Sequence, residues 1–187
     1  MMTHYVDIRL RPDPEFPANQ LLNALFSKLH RALVQLQADD VGVSFPELKA
    51  KRSLGECLRL HGSCELLDSL MALSWLQGMR DHVDLGELLA VPADCQHRVV
   101  RRVQAQSSPE RLRRRYIKRH GVTVEDAASR LPDAIAKELD LPFVYLRSQS
   151  TGQQFRLFVE HGDLINQPLT GKFSCYGLSA VATVPWF

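Results

Sequence analysis

Residues 1–94 have a hydrophobic pattern whose period changes from one segment to the next. Residues 4–10 alternate apolar and polar side chains, which is typical of a strand with one buried face. Between Ala18 and Leu36, Leu and Phe recur every three or four positions and cover an arc of about 140°, which predicts a core-facing helix. The same criteria predict, in order, a strand at 41–45, a strand at 54–61, a helix at 65–76 and an extended segment at 83–91.

This order of elements, β-α-β-β-α-β, predicts a ferredoxin-like domain over residues 1–94. In that arrangement, two helices cover one face of an antiparallel sheet. RNA-binding proteins and metabolic proteins both use it, so the fold by itself does not decide a function.

The rest of the chain predicts a second domain, of α+β type, over residues 95–187. An Arg-rich helix is expected at about 108–120, because Ser-Pro-Glu is typical of a helix start and Gly121 of a helix end. Further predicted elements are a short helix from 123, a helix at 132–139, and strands at 143–147, 154–161 and 172–176. A turn rich in hydroxyl groups joins the first two of these strands, which predicts a hairpin. The whole chain is therefore expected to be α+β.

The charge of the chain is unevenly distributed. With a net charge of +2, 45% hydrophobic and 24% charged residues, the 187-residue chain is neither disordered, nor collagen-like, nor a coiled-coil rod. Residues 98–119 contain nine Lys or Arg and one Glu, whereas the remainder contains 14 basic and 20 acidic residues. Such a basic segment favours a polyanionic partner. Because neither a transmembrane run nor a secretory signal is recognisable, we expect a cytoplasmic protein.

One face of the predicted Arg-rich helix is strongly cationic. Five of its side chains fall within an arc of about 140°, namely Arg111, Arg114, Arg115, Lys118 and Arg119. Like charges at this spacing repel one another, so the face favours an anionic ligand such as the phosphates of a nucleic acid. A solvated charged helix and an acidic protein partner are the alternatives. Arg102 and Gln104, just before the helix, are of types that hydrogen-bond base edges.

The candidates for chemistry are few. The sequence contains no phosphate-binding loop, zinc-protease motif, D-x-D pair or nucleophile elbow, and its four cysteines lack zinc-finger spacing. We therefore predict no metal site, no disulfide and no cofactor. Metal-free RNA cleavage remains, which needs a base for a ribose 2′-hydroxyl, a group that orients this hydroxyl, and compensation of charge at the phosphate.

Four residues could serve such a reaction. His30 lies at the edge of the apolar arc of the first helix, where an imidazole can act as a base; the residues alone favour instead a histidine that only covers the helix edge. Ser148 and Ser150 lie in the predicted hairpin turn, for which ordinary turn chemistry is the alternative. Tyr176 is the last residue of a predicted strand and is equally compatible with core packing.

Several long motifs, in order along almost the whole chain, resemble one known family. They are HYVDIRLRPDPEFP, RVQAQSSPERLRRR, LPFVYLRSQSTGQQFRLF, CYGLS and VPWF. The sequence resembles the CRISPR-associated endoribonuclease of subtype I-F systems, which cuts precursor CRISPR RNA at each repeat hairpin. The resemblance implies a ferredoxin-like N-terminal domain and a C-terminal domain whose Arg-rich helix enters the major groove of the stem-loop.

The resemblance also implies a role for each candidate. His30 would be the general base that activates the 2′-hydroxyl, Ser148 would hold this hydroxyl, and Tyr176 would orient the histidine. Attack on the adjacent phosphate would leave a 2′,3′-cyclic phosphate and a 5′-hydroxyl, with no metal or cofactor. Ser150 also matches the family pattern.

The implied RNA contacts surround these residues. Arg102 and Gln104 would contact bases at the foot of the stem, and Phe155 would stack on its last base. Contacts to stem phosphates or groove edges are implied for Arg114, Arg115, Lys118 and Arg119. Lys118 stands where one member of the family has Arg, which keeps the charge but loses the bidentate fork.

The implied partners are the CRISPR repeat stem-loop and other subunits of an RNA-guided surveillance complex. The protein is expected to be a monomer on its own and to stay bound to its product hairpin. A catalytically silent subunit that binds the hairpin and a generic RNA chaperone are the alternatives. The joint presence of His30, Ser148 and Tyr176 favours the enzyme.

Overall fold

The computed structural model describes residues 2–48, 53–104, 109–131, 139–148 and 152–187 of the chain, without the side chains of 109–111. These residues form an α+β structure. Its helices are α1 (Ala18–Leu36), α2 (Cys64–Ala72), α3 (Pro109–His120) and α4 (Val124–Arg130). Its strands are β1 (His4–Leu10), β2 (Gly42–Ser44), β3 (Cys57–Gly62), β4 (Val83–Leu85), β5 (Leu89–Ala90), β6 (Gln96–Val103), β7 (Phe143–Arg147), β8 (Gln154–His161) and β9 (Thr183–Trp186).

The first sheet has the strand order β2-β3-β1-β4, and β5 also pairs with β1. All of these pairings are antiparallel. Side chains of β1 alternate as predicted, because Val6, Ile8 and Leu10 are buried in the core. Helices α1 and α2 both contact β1, so that their apolar faces and this face of the sheet enclose one core.

The second sheet has the order β7-β8-β6-β9. Strands β7 and β8 are antiparallel with Leu146 opposite Phe155, which confirms the predicted pairing of these two strands. The last strand lies antiparallel to β6, with Val99 opposite Thr183. Helix α1 also contacts β7, where the Asn23 side chain accepts a hydrogen bond of 2.8 Å from the Tyr145 N–H.

The chain divides into two compact units. The larger comprises Met1–Arg102 and Leu141–Phe187, and the smaller comprises Val103–Asp140. In the larger unit, apolar residues of both sheets belong to one core. Among the described residues, the strands of the first sheet all precede residue 94 and those of the second all follow it. The predicted division into domains 1–94 and 95–187 stays a prediction.

Most predicted elements are present within a few residues of their expected bounds, and four match to the residue: 4–10, 18–36, 143–147 and 154–161. The predicted strand at 172–176 is wrong. There, the Phe173 N–H donates to the Asp39 carbonyl and the Ser174 N–H to the Leu178 carbonyl, so this backbone forms a loop. The tail forms the strand instead, by pairing with β6. Most of the helix predicted at 132–139 lies outside the described residues.

Within the described parts of the chain, every helix is too short or too polar to cross a membrane.

Candidate active site

The imidazole of His30 is held by one backbone group. His30 lies on α1 and is half-buried. Its Nδ1 lies 2.8 Å from the carbonyl oxygen of Cys175. A carbonyl oxygen only accepts hydrogen bonds, so Nδ1 is the nitrogen that donates. In the neutral ring, Nε2 is then the nitrogen with a free lone pair, which can accept a proton.

The Tyr176 ring fixes the plane of this imidazole. The two rings are stacked with centroids 4.2 Å apart and planes 15° apart. The buried ring of Phe26, one helical turn before His30, lies parallel to Tyr176 at 6.4 Å. Burial raises the pKa of the Tyr176 phenol, Cys175 adds to that rise, and Arg102 opposes it. The phenol therefore stays protonated at neutral pH.

A glycine allows the loop that holds Tyr176 to approach the first sheet closely. Gly177 has a φ of +68°, a backbone conformation that residues with a Cβ rarely adopt. A Cβ at this position would collide with Val43. The backbone is so close because the Val43 N–H donates a hydrogen bond of 2.8 Å to the Gly177 carbonyl. This contact helps to fix the Cys175 carbonyl and the Tyr176 ring beside His30.

His30 lines a small cavity of about 280 Å³. The residues that line it are Ser27, His30, Leu146, Arg147, Ser148, Phe155 and Tyr176. They come from α1, the β7–β8 hairpin and the 175–177 loop, which are far apart in the sequence. The structure thus brings together all three predicted catalytic residues and the predicted stacking residue Phe155.

Ser148 lies at the end of β7, where the backbone is well hydrogen-bonded. Its N–H donates to the Gln153 carbonyl at 2.9 Å, and its carbonyl accepts from the Gly152 N–H at 2.8 Å. Gly152 has a φ of +67°. These hydrogen bonds fix the Ser148 backbone at the position where β7 leads into the turn. Ser150 lies outside the described residues.

A guanidinium group lies beside the cavity. Arg102, at the end of β6, has its central carbon 5.6 Å from the Phe155 ring centroid and 5.8 Å from that of Tyr176. Such distances are within the range of cation–π attraction. The side chain is otherwise exposed, so its donors are accessible to a ligand.

The Arg-rich helix is present as α3 in the smaller unit. Its predicted cationic face is exposed at Arg114, Arg115, Lys118 and Arg119, whereas the side chain of Arg111 is not described. The opposite face packs on α4: the Arg113 Nε donates to the Leu131 carbonyl at 2.8 Å, and Arg130 donates to the Tyr116 hydroxyl at 2.9 Å. Gln104 is exposed and belongs to this smaller unit.

Two other histidines are structural. His61 is fully buried, with Nε2 2.8 Å from the Ser44 Oγ, and burial lowers its pKa to about 3. The His161 ring makes edge contacts with Phe45 and Trp186, and burial lowers its pKa to about 4. Both rings are therefore neutral at physiological pH. In the part of the chain that the structure describes, no group of three or more His, Cys, Asp or Glu is placed to hold a metal ion.

Three groups around His30 were not predicted from the sequence. Ser27 precedes His30 by three helical positions, so the helical period was an available signal. Arg147 is adjacent to Ser148 in the sequence, and this adjacency was also available. The Cys175 carbonyl had no signal, because every residue has a carbonyl and this one is 145 residues from His30.

Comparisons with known proteins agree on one family. The model of the family described as "CRISPR-associated protein (Cas_Csy4)" matches residues 5–187. A protein of Pseudomonas aeruginosa (strain UCBPP-PA14) named "CRISPR-associated endonuclease Cas6/Csy4" is 57% identical over 187 residues, which cover 100% of both chains. A protein of the same name from Escherichia coli (strain UTI89 / UPEC) is 46% identical over 186 residues, again covering 100% of both chains.

Proposed function

Because the chain belongs to the Cas_Csy4 family of CRISPR-associated proteins, we propose that it is an endoribonuclease that cuts precursor CRISPR RNA at the repeat stem-loop. The observation that supports this best is the arrangement of His30. Its Nδ1 is engaged by the Cys175 carbonyl, its ring lies flat on Tyr176, and it shares a cavity with Ser148.

In this proposal the 2′-hydroxyl of the RNA is the nucleophile. The His30 Nε2 takes its proton, the 2′-oxygen forms a bond to the adjacent phosphorus, and the bond from phosphorus to the 5′-oxygen breaks. The leaving 5′-oxygen takes up a proton from water and Nε2 returns its proton to water, so the products are a 2′,3′-cyclic phosphate and a 5′-hydroxyl. The nucleophile is part of the substrate, so the reaction requires no metal-bound water and no cofactor.

Three side chains would orient the reactants. Ser148 would hold the 2′-hydroxyl, since it lines the same cavity as His30. Tyr176 would act through the histidine, because its stacked ring and the Cys175 carbonyl together restrict the imidazole. Phe155 would stack on the last base of the stem, since its ring lines the cavity and faces the Arg102 guanidinium.

The remaining RNA contacts would position the stem-loop. We propose that Arg102 and Gln104 contact bases of the RNA. Ser150 would also contact the RNA. Phosphate or groove contacts are proposed for Arg111, Arg114, Arg115, Lys118 and Arg119. The exposure of the described members of this last group supports the proposal. Because these contacts do not involve the bond that is cut, the protein would stay bound to its product.

The fold and setting complete the proposal. We propose that residues 1–94 form a ferredoxin-like domain; the antiparallel strand order β2-β3-β1-β4 and the helices between these strands support it. Residues 95–187 would form the RNA-binding domain. The protein would be cytoplasmic, monomeric on its own, and a subunit of the RNA-guided surveillance complex when it holds the processed RNA.

The test incubates the protein with the repeat RNA of its own host's CRISPR array in the presence of EDTA. We expect cleavage, with a 2′,3′-cyclic phosphate on the upstream product. The variant His30→Ala should lose cleavage and still bind the RNA, whereas His4→Ala, a half-buried histidine outside the cavity, should cleave normally. Intact RNA after tight binding by the wild-type protein would instead support a catalytically silent hairpin-binding subunit.

A further inference from the structure

A second hydroxyl group lines the cavity beside His30. Ser27 lies on α1 three residues before His30 and is half-buried. Residues three apart on a helix share a face, which is why Ser27 and His30 both line this cavity. Nothing in the mechanism proposed above uses this serine.

The hydroxyl of Ser27 differs from those of other helical serines in this protein. Ser69 and Ser129 each donate to the carbonyl four residues earlier, at 2.7 Å and 2.8 Å. This is the usual way in which a helix satisfies an internal serine. Among the residues that the structure describes, the Ser27 hydroxyl makes no such bond, and the one side chain that bonds to Ser27 is Arg31, whose Nε donates to the Ser27 carbonyl at 3.3 Å. Its donor is therefore available to a ligand in the cavity.

The reaction at His30 creates a need for such a donor. When the 2′-oxygen attacks, negative charge accumulates on the nonbridging oxygens of the phosphate, and prepositioned donors lower the barrier by meeting that charge. The attacked phosphorus is adjacent to the ribose whose 2′-hydroxyl loses its proton to Nε2, so its oxygens must lie close to the groups around His30. Arg147 also lines the cavity; its Nε, which carries one of five guanidinium N–H donors, donates to the Gly152 carbonyl at 3.1 Å.

We propose that the Ser27 hydroxyl donates a hydrogen bond to a nonbridging oxygen of the phosphate that is cut. Ser27 is then a catalytic residue, distinct from Ser148, which holds the nucleophile. The serine stays neutral throughout and exchanges no proton with the RNA. This inference rests on the proposed function, because it requires His30 to act as the base.

The first experiment measures single-turnover cleavage rates and RNA affinity for Ser27→Ala. We expect the rate to fall about tenfold or more, as for the loss of a hydrogen bond to a charged group, while affinity changes by less than about twofold. Ala is a better helix former than Ser, so the variant should fold. Ser27→Thr keeps a hydroxyl and should recover most of the rate. Ser69→Ala, a helical serine outside the cavity, is the matched control and should cut at the wild-type rate.

The second experiment asks which atom the hydroxyl contacts. Sulfur replaces each nonbridging oxygen of the scissile phosphate in turn, and sulfur is the weaker hydrogen-bond acceptor. In the wild-type protein, one of the two substitutions should slow cleavage through Ser27. In Ser27→Ala this penalty should shrink, while the penalty of the other substitution stays, as a double-mutant cycle reveals.

The outcomes separate the two proposals. If the wild-type protein does not cut the RNA, the proposed function fails and this inference fails with it. If the wild type cuts but Ser27→Ala cuts equally fast, or both sulfur penalties are the same in the two proteins, only the inference is overturned.

Discussion

Tyr176 lies flat against the imidazole of His30, with ring centroids 4.2 Å apart and planes within 15°. The residue before Tyr176 supplies the carbonyl that accepts from Nδ1, at 2.8 Å. One short loop therefore sets both the plane and the tautomer of the histidine. An imidazole restrained in this way has its ring plane and its Nδ1 partner fixed before any RNA binds, which reduces the entropy lost on reaching the reactive geometry.

The stacked ring, more than the phenol group, should matter for catalysis. We expect Tyr176→Phe to cut within about threefold of the wild-type rate, because it keeps the ring, and Tyr176→Ala to lose about tenfold or more through imidazole misorientation. Single-turnover rates at saturating protein measure this. A Phe variant as slow as the Ala variant would show that the hydroxyl contributes directly.

The nucleophile can be tested in the RNA. A 2′-deoxy nucleotide immediately before the cut should abolish cleavage without preventing binding, because the attacking oxygen is missing. The same substitution one nucleotide further upstream is the control and should be cut. Cleavage of the first RNA would point to attack by water.

The exposed cations of α3 should contribute separate electrostatic contacts. We expect Arg115→Ala and Arg119→Ala each to weaken binding and to reduce the slope of log affinity against log salt concentration by about one. Arg80→Ala is the control, since Arg80 is an exposed arginine of the larger unit and outside α3. Salt titrations measured by filter binding decide the matter. Unchanged slopes in both variants would contradict the proposed role of α3.

Acid should destabilise the fold through its buried histidines. Burial, with the nearby Arg59 and His97, lowers the pKa of His61 from its ordinary value of 6.5 to about 3. Burial, with the nearby Arg98, lowers the pKa of His161 from the same ordinary value to about 4. Above pH 6.5 the rings are neutral in both the folded and the unfolded chain, so stability is complete there. Below it the unfolded chain gains protons that the folded chain excludes.

When the pH falls from 7 to 5, each of these histidines should therefore lower the free energy of unfolding by about 1–2 kcal/mol. Urea unfolding at the two pH values measures this loss. His161→Phe should preserve the edge contacts with Phe45 and Trp186 and reduce the pH dependence. The exposed His120→Gln is the control and should leave it unchanged. An equal loss in all three proteins would assign the effect to other groups.

Arg59 should be a strong contributor to stability. It donates to the two carboxylate oxygens of Asp7 at 2.6 Å and 2.9 Å, and its guanidinium carbon lies 4.7 Å from the Tyr5 ring centroid and 4.2 Å from that of Phe187. We expect Arg59→Met to lower the unfolding free energy by about 3 kcal/mol, because Asp7 loses its partner in a half-buried place. The more exposed Arg9, paired with Glu47, is the control.

For Arg9→Met we expect a loss below about 1 kcal/mol. Urea unfolding at pH 7 compares the two variants. Similar losses in both would show that burial does not strengthen the Arg59 pair.

Hydrophobic periodicity was sufficient to predict most helices and strands, but it predicted a strand at 172–176 that the structure does not contain. The 3.6-residue period of residues 18–36 and the alternation of residues 4–10 come from contacts with a single core face, so each segment shows its own burial. The stretch 172–176 also alternates, and Phe173 is buried as a strand would bury it. Its backbone nevertheless bonds to Asp39 and Leu178. The whole fold decides which backbone groups are available as hydrogen-bond partners. The residues of a short segment do not reveal those partners.

By itself, the sequence determined the α+β class, the cationic face of the Arg-rich helix and His30 as a candidate base, because residue type and helical period are local properties. Only the tertiary structure decided the partner of the His30 Nδ1, the stacking of Tyr176 and the position of Ser27 in the same cavity as Ser148. These relations join residues more than a hundred positions apart. One of them uses a backbone carbonyl, a group that every residue possesses, so the sequence offers no signal for it.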